Sequence, residues 1–327
     1  MSDSDMRGSP ASHPSRGDDG DERTRQVKEF YERYHFPGIR PLEQDGLILN
    51  RRMMQKAAER TSVGRDEPMR VLDGGCGTGN TLISLARHIP EATFLGLDIS
   101  RPSLGIASEA ASAADLGNIS FREHNLLHPI AEEALFDVVL CLGVLHHTVD
   151  MDKVLSNLGR ACDDEGELYL WVYGKHGRYH HQLNHRLLQM LIESGPEPVD
   201  PVELARDFIE HAGGGMALRD LQAAIDRMAS NVAVLDEPAW VADQFIHPLE
   251  RLLEMEDLLT LVSNAGLQIV EWLGVDQVIE SYFSSSRLID RFLHLAPDER
   301  LVALDLLLKP DRYFVRLQKS VNGDRLA

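Results

Sequence analysis

A short segment in the first quarter of the chain combines an acidic side chain with closely spaced glycines. From Val71 to Gly79 it reads VLDGGCGTG, an apolar strand that runs into a glycine-rich turn and then a helix. Gly75, Gly77 and Gly79 let the main chain take left-handed or crowded conformations and approach a ligand closely, because a Cβ at these positions would prevent it. Asp73 would stand at the carboxyl end of the strand, facing that ligand. The segment predicts a nucleotide-type binding loop.

The spacing Gly-x-Gly-x-Gly differs from the Gly-x-Gly-x-x-Gly fingerprint that places a pyrophosphate on a helix N-terminus. An acidic residue before the glycines would repel a phosphate, but it suits a cation such as the ammonium or sulfonium of S-adenosylmethionine (SAM). A second predicted strand, from Thr93 to Leu97, ends at Asp98. In nucleoside-binding βαβ units a carboxylate about 20 residues after the loop accepts hydrogen bonds from the ribose hydroxyls.

The loop, the two acids and the βαβ context together make Val71–Ser100 resemble motifs I and II of the class I SAM-dependent methyltransferases. The resemblance implies that SAM is the cofactor and S-adenosylhomocysteine the product. It also implies a set of cofactor-binding residues in this stretch: Asp73, Gly75, Gly77, Gly79, Asp98 and Ile99. No metal is expected, because methyl transfer from a sulfonium is an in-line displacement that needs only alignment and the exclusion of water.

Composition limits the other classes of function. The chain has 327 residues, 43% hydrophobic, with 52 acidic and 33 basic side chains and a formal net charge of −19. Such a charge repels nucleic acid, so neither DNA nor RNA is an expected partner. No apolar run approaches the length of a membrane span and no apolar signal core is evident, so a cytoplasmic location without a membrane partner is expected. The three cysteines lack CxxC spacing and are expected to be reduced core thiols.

The pattern from Met69 onward alternates strands and helices, which predicts a doubly wound, mostly parallel α/β sheet of seven strands. Two helical insertions are expected, one after strand five and one between strands six and seven, and together they could form one cap. The seventh strand is assigned to Tyr313–Leu317, about 40 residues after the sixth. The predicted division is a disordered tail (1–22), an N-terminal helical lid (23–66), a SAM-binding core (67–175), a helical cap (176–252) and a C-terminal part of the core (253–327).

Further cofactor contacts follow from the resemblance. Asn125, after the third strand, is expected to contact the adenine amino group through its carbonyl oxygen, with Leu126 against the ring. The alternative for Asn125 is a turn residue that hydrogen-bonds its own backbone. After the fourth strand, backbone groups from Leu142 onward are expected to flank the methionine part of SAM.

The chemistry of the acceptor is expected at His146 and His147, an ionisable pair at a strand end whose ordinary pKa lies near neutrality. His147, with His146 as the second choice, is the candidate general base, which helps when the acceptor is a phenol, a hydroxyl or a protonated amine. A purely structural role for the pair is the alternative. Tyr173, at the end of the fifth strand, would polarise the acceptor or form a wall beside it.

A basic and aromatic turn is expected from Tyr173 to Arg186. Lys175 and Arg178 would hold an anionic acceptor through charge-assisted hydrogen bonds, and Tyr179 would supply an apolar wall. A solvated helix face is the competing interpretation. A second competing interpretation is a metal site at His181 and His185, which are spaced to share a helix face.

Aromatic residues at helical spacing precede the binding loop. Tyr31 and Tyr34 could touch the methyl-donor end of the cofactor, or they could simply pack in a core. Phe30–Gly38, Tyr173–Arg178 and Asp243–Glu250 look like a bacterial subgroup that includes methyltransferase domains fused to tetratricopeptide repeats and some protein-lysine methyltransferases.

The sequence therefore predicts transfer of the SAM methyl group to an oxygen or nitrogen acceptor, an anionic or aromatic small molecule. The alternatives are a protein side-chain (lysine-type) methyltransferase and a non-catalytic SAM-binding regulatory protein. A nicotinamide-dependent oxidoreductase ranks below both. A homodimer formed through the helical cap is a further expectation.

Overall fold

A computed structural model describes residues 16–37, 44–62, 67–132, 135–195, 198–211, 237–276 and 278–320. Within these residues the centre of the molecule is a seven-stranded sheet. Its strands in chain order are β1 (Arg70–Gly74), β2 (Thr93–Asp98), β3 (Ile119–Glu123), β4 (Phe136–Leu142), β5 (Cys162–Tyr173), β6 (Leu267–Trp272) and β7 (Arg312–Lys319).

The spatial order of the strands is β3-β2-β1-β4-β5-β7-β6. The first five are parallel, and β7 lies antiparallel between β5 and β6. The predicted doubly wound, mostly parallel sheet with a seventh strand is confirmed. The order reverses between β1 and β4, so the carboxyl ends of these strands open a crevice where ligands bind in such sheets.

The helices are α1 (Arg16–Arg33), α2 (Gln44–Ser62), α3 (Asn80–His88), α4 (Arg101–Ala113), α5 (Met151–Ala161), α6 (Lys175–Glu193), α7 (Pro201–His211), α8 (Pro238–Phe245), α9 (Met255–Asn264), α10 (Ser286–Leu293) and α11 (Pro297–Leu308). Side chains fix several starts. Ser100 accepts a hydrogen bond from the Ser103 amide at the start of α4, and Asp150 accepts one from the Lys153 amide, 2.9 Å away, at the start of α5. Such caps satisfy amides that have no partner within the helix.

The sheet is buried on both faces, as its apolar strands require. On one face, Leu49 and Met53 of α2 and Leu82 of α3 join a cluster with Val71 of β1 and Leu140 of β4. The opposite face is covered by α5, α9 and the second insertion, which share one hydrophobic cluster. The helix α2 therefore packs on the sheet, and among the described residues of the predicted lid, α1 and the Phe36–Pro37 segment after it reach the crevice.

The first insertion has its own core. Leu188 of α6, Val202 of α7 and Phe245 of α8 are buried together, and Phe30 and Tyr34 near the end of α1 pack against them. The second insertion belongs to the cluster under the sheet instead. Among the described residues the two insertions lie in different hydrophobic clusters and meet through His176 and Asp305, 3.6 Å apart, while the first insertion is completed by the N-terminal lid.

Two predicted boundaries need correction. The tail predicted to be disordered over 1–22 is helical from Arg16, since α1 continues toward the N-terminus with a solvated, charged surface in which Arg25 pairs with Glu22 and Glu29. The basic segment expected as a turn is the first half of α6, which begins directly at Lys175. Residues 1–15 of the tail and 212–236 of the cap lie outside the described residues. Among the helices that are described, none is both long and apolar enough to cross a membrane.

Candidate functional site

A cleft of about 1100 Å³, including the open space at its mouth, lies at the carboxyl ends of β1, β2 and β4. Its size is at the upper end for a small-molecule site. Most of the predicted cofactor residues line it: Asp73, Gly75, Gly77, Asp98, Ile99, Asn125, Leu126 and Leu142. Tyr31 and His147 also contribute to its wall. The helix α1 forms the opposite side through Thr24, Val27 and Tyr31.

The glycine-rich loop needs its glycines for two different reasons. Gly75 and Gly77 have φ values of +90° and +53°, and a Cβ on them would lie 2.3 Å from a methyl group of Val144 and 2.2 Å from the Phe36 carbonyl oxygen, respectively. These two glycines let the lid and the β4 loop close around the cleft. Gly79 has φ +77°, and a Cβ there would meet Ala107 and Phe121. It allows α3 to pack close to α4 and does not line the cleft, so the structure places it outside the predicted cofactor contacts.

The two acids lie side by side at the bottom of the cleft. Asp98 accepts hydrogen bonds from the Gly77 and Ser100 amides, both at 2.8 Å, which ties the glycine loop to the end of β2. Burial raises the pKa of Asp98, while these N–H donors lower it. Burial, with a smaller contribution from Asp98, raises the pKa of Asp73 to about 7. No cation among the described residues lies within ion-pair distance of Asp73.

A buried carboxylate without a countercharge is unfavourable, and a bound cation would relieve it. The residues present therefore fit a cationic nucleoside of the SAM type, with positive charge near Asp73. The backbone hydrogen bonds of Asp98 leave lone pairs that can accept ribose hydroxyls, because each carboxylate oxygen can accept two bonds.

His147 follows β4 in a short 3₁₀ turn, Leu145–His147. Its Nδ1 lies 2.8 Å from the carbonyl oxygen of Leu249. A carbonyl only accepts hydrogen bonds, so the neutral ring carries its proton on Nδ1 and leaves Nε2 without one. Burial lowers the pKa of His147 to about 4, although Glu250 and the Leu249 carbonyl act in the opposite direction. Within the described part of the chain, Nε2 has no hydrogen-bond partner.

Comparison with known proteins shows which family part of the chain resembles. Residues 72–168 match the family described as "Methyltransferase domain". The chain has the strand order of class I SAM-dependent methyltransferases. Residues 72–168 therefore form a methyltransferase domain within the class I fold. Its methyl donor is S-adenosylmethionine.

Three further proteins are similar to this chain, and they differ in how much of it they cover. The uncharacterized protein syc1184_c of Synechococcus sp. is 29% identical over 88% of this chain and 69% of its own. The ubiquinone biosynthesis O-methyltransferase of Paracidovorax citrulli is 36% identical, over 32% of this chain and 42% of that enzyme. The structure of PKMT2 from Rickettsia typhi in complex with AdoHcy has 16% identity and a TM-score of 0.63, covering 78% of this chain and 49% of that one. The methyltransferase thus spans about half of PKMT2 and less than half of the O-methyltransferase.

Asn125 lines the cleft of the methyltransferase, but its carbonyl oxygen is already used. It accepts a hydrogen bond from the Leu127 amide at 3.0 Å, two residues along the chain. This is the turn geometry that was the alternative to an adenine contact. The adjacent Leu126 is buried, and its own carbonyl oxygen is held by the Asn157 side chain at 2.9 Å.

His146 and Tyr173 lie behind His147 and do not line the cleft. Their ring centres are 4.0 Å apart, and the His146 and His147 ring centres are 4.2 Å apart. His146 is fully buried with neither ring nitrogen hydrogen-bonded, and burial followed by the neighbouring His147 lowers its pKa well below the ordinary value. Burial keeps the Tyr173 hydroxyl protonated by raising its pKa, and that hydroxyl accepts a hydrogen bond from Gln244.

The predicted anion-binding residues have other partners. Lys175 is exposed and binds Glu254 at 2.6 Å. Arg178 is buried, pairs with Glu250 at 3.2 Å, and its guanidinium lies 3.6 Å from the centre of the Tyr173 ring. Tyr179 is 55% exposed on α6. The structure does not bring these three side chains to the cleft.

Tyr31 and Tyr34 take different positions on the lid. Tyr31 lines the cleft, and its hydroxyl donates to Asp243 at 3.1 Å. Burial, with Asp243 adding to the effect, raises the Tyr31 pKa well above its usual value. Tyr34 packs with the core of the first insertion and is not part of the cleft wall. No group of three or more His, Cys, Asp or Glu in the described ranges is arranged to hold a metal ion.

Sequence reasoning missed the residues that α8 and the chain after it supply. Asp243, His247 and Leu249 contact two side chains of the cleft wall, Tyr31 and His147. The signals were the largely apolar run from Trp240 to Pro248, which indicates burial, and the resemblance of Asp243–Glu250 to a bacterial subgroup, and neither identifies the contact partner.

Proposed function

We propose that this methyltransferase transfers the SAM methyl group to an oxygen or nitrogen acceptor and that His147 receives the proton of that acceptor. The observation that carries the proposal is the hydrogen bond from Nδ1 of His147 to Leu249, which leaves a bare Nε2 on a residue of the cleft wall. A general base must present a free lone pair within reach of the proton it takes.

The cofactor would be held by Asp73, Asp98 and the Gly75–Gly77 turn, with Leu126 and Leu142 as apolar contacts. When bound there, SAM supplies an electrophilic methyl group. The contribution of the chain is to align the acceptor and to exclude water, for which the lid residues Tyr31 and Phe36 are placed on the cleft wall.

The lowered pKa of His147 decides which acceptors suit it. A base with a pKa of about 4 is neutral throughout the physiological range, so it is always available, but it is weak. A weak base is sufficient for a hydroxyl or phenol, because the proton on the acceptor oxygen becomes strongly acidic as the new bond to carbon forms. An amine would have to arrive unprotonated.

The charge of the cleft further limits the acceptor. No lysine or arginine lines it in the described residues, whereas Asp73 and Asp98 do. Lys175 and Arg178, which were expected to bind an anion, are paired with Glu254 and Glu250. We therefore propose a neutral acceptor, aromatic or apolar beside its reactive group, in place of an anionic one. The apolar part of the wall, with Val144, Val149 and Leu127, supports this choice.

The proposal is tested by incubating the protein and methyl-labelled SAM with an extract of its source cells and separating proteins from small molecules. Label in the small-molecule fraction is expected. Label confined to proteins would refute the small-molecule acceptor.

The role of His147 is tested in the same assay by His147→Gln, which should transfer label about 10²–10⁴-fold more slowly. Its affinity for S-adenosylhomocysteine should be unchanged. His180→Gln on the exposed surface of α6 is the matched control. Full activity of His147→Gln would remove the base from the proposal.

A further inference from the structure

The chain that follows α8 returns from the first insertion to the sheet, and residues 246–253 are called the return segment here. Backbone hydrogen bonds connect the return segment to the core. The Arg251 amide donates to the His146 carbonyl at 3.0 Å, and the Leu253 amide donates to the Tyr173 carbonyl at 3.1 Å. The Arg251 side chain also donates to the carbonyl of Val149 at 2.9 Å. The return segment is therefore held against the loop that carries His147.

Leu249 in this segment contacts two histidines through its backbone. Its amide donates to Nδ1 of His247 at 3.1 Å, and its carbonyl oxygen accepts from Nδ1 of His147 at 2.8 Å. An amide can only donate and a carbonyl can only accept, so the two neutral rings must be opposite tautomers. His247 has a bare Nδ1 and a protonated Nε2, while His147 has a protonated Nδ1 and a bare Nε2.

The two rings also stack, with centres 3.8 Å apart and planes inclined by 37°. His247 is 1% exposed, and its outer side is covered by the rings of Phe30 and Tyr31 at 4.7 and 5.3 Å. A flip of the His147 ring would place a carbon opposite the Leu249 carbonyl and lose a buried hydrogen bond. Leaving such a group unsatisfied inside the protein is unfavourable.

We infer that His247 is a positioning residue: by fixing Leu249 and stacking on His147, it selects the tautomer of His147 whose Nε2 is free to take a proton. The inference rests on the proposed role of His147 as the base. The first insertion thereby helps to build the catalytic group, although none of its described residues lines the cleft.

Two substitutions separate the hydrogen bond from the stack. His247→Phe keeps an aromatic ring beside His147 but removes the acceptor of the Leu249 amide. His247→Asn gives up the ring but places an amide oxygen close to the position of Nδ1. If the hydrogen bond to Leu249 fixes the tautomer, His247→Phe should give a mixture of His147 tautomers, and His247→Asn should keep the wild-type form.

The readout is ¹⁵N NMR of the full chain labelled on histidine nitrogens, with the His147 signals identified by their loss in His147→Gln. Wild-type protein at pH 7.5 should show a protonated Nδ1 and a bare Nε2. Calorimetry with S-adenosylhomocysteine should give dissociation constants within about twofold for wild type and both His247 variants, since His247 does not line the cofactor end of the cleft.

A wild-type His147 protonated on Nε2 would overturn the inference, and this result does not depend on whether either variant folds. An unmixed tautomer in His247→Phe, or a mixed one in His247→Asn, would also overturn the route through Leu249. None of these measurements needs turnover. Normal methyl transfer by His147→Gln would instead refute the proposed function while leaving the tautomer result intact, so the two failures are distinguishable.

Discussion

Replacing His147 with asparagine is expected to reduce the amount of unfolding free energy that the protein loses as the pH falls. Burial lowers the pKa of His147 to about 4, from an ordinary value of 6.5. Between these two values the unfolded chain binds a proton that the folded chain does not. The contribution of His147 to stability is therefore complete above pH 6.5 and is lost progressively as the pH falls toward 4.

The magnitude follows from the linkage relation. Lowering the pH from 7.5 to 5.5 shifts the folding free energy by about 1 kcal/mol through this one group, and the limit well below pH 4 is about 3 kcal/mol. Burial also lowers the pKa of His146, His181 and His247 well below the ordinary value, which adds loss in the same direction. Asp73 acts oppositely, because its raised pKa makes the folded state bind the extra proton as the pH falls below 7.

A comparison between variants cancels these other groups. Urea denaturation of the wild type and of His147→Asn is measured at pH 7.5 and pH 5.5, and the difference between the two pH values is taken for each protein. The difference for His147→Asn should be smaller by about 1 kcal/mol. His128→Asn, at an exposed position, is the control for loss of an imidazole without opening the buried cluster. An equal pH dependence in the wild type and His147→Asn would refute the assignment of a buried, neutral His147.

Three further outcomes are expected. Asp73→Asn should stabilise the ligand-free protein by up to about 4 kcal/mol at pH 8.5, because it removes a buried carboxylate whose pKa is about 7. The same substitution should abolish binding of S-adenosylhomocysteine in calorimetry. Tight binding or lower stability would contradict this expectation. Gly77→Ala should weaken S-adenosylhomocysteine binding at least about tenfold and lower the melting temperature, since its Cβ would lie 2.2 Å from the Phe36 carbonyl oxygen. Gly105→Ala in α4 is the control, because no described neighbouring atom lies within 4 Å of the added Cβ. It should stabilise the fold by about 0.5–1 kcal/mol. Once an acceptor is identified, the single-turnover rate should stay level from pH 8 to about pH 5 and fall near pH 4, and a fall centred at pH 6.5 would show that His147 is not the buried, neutral base.

The cofactor half of the site was predictable because its signals are local. Asp73, the glycines and Asp98 belong to one βαβ unit, so the distance along the chain and the carboxyl-end rule place them together without any knowledge of the rest of the fold. The starts of α7 and α11 at Pro201 and Pro297 are local signals of the same kind, because proline is favoured in the first turn of a helix. Asn125 was less certain, since a side chain that can bond either a ligand or its own backbone gives the same local pattern.

The part of the cleft wall that carries Tyr31 and His147 was decided by contacts between residues far apart in the chain. His147 and Leu249 are 102 positions apart, and Tyr31 and Asp243 are 212 apart. Arg178 looked like a free cation in the sequence, but α6 buries it against Glu250, 72 positions later. Sequence alone determined the cofactor through residue types at fixed local spacing. Only the tertiary structure decided which charges are neutralised and which imidazole nitrogen is free, because both depend on which groups packing brings together and removes from water.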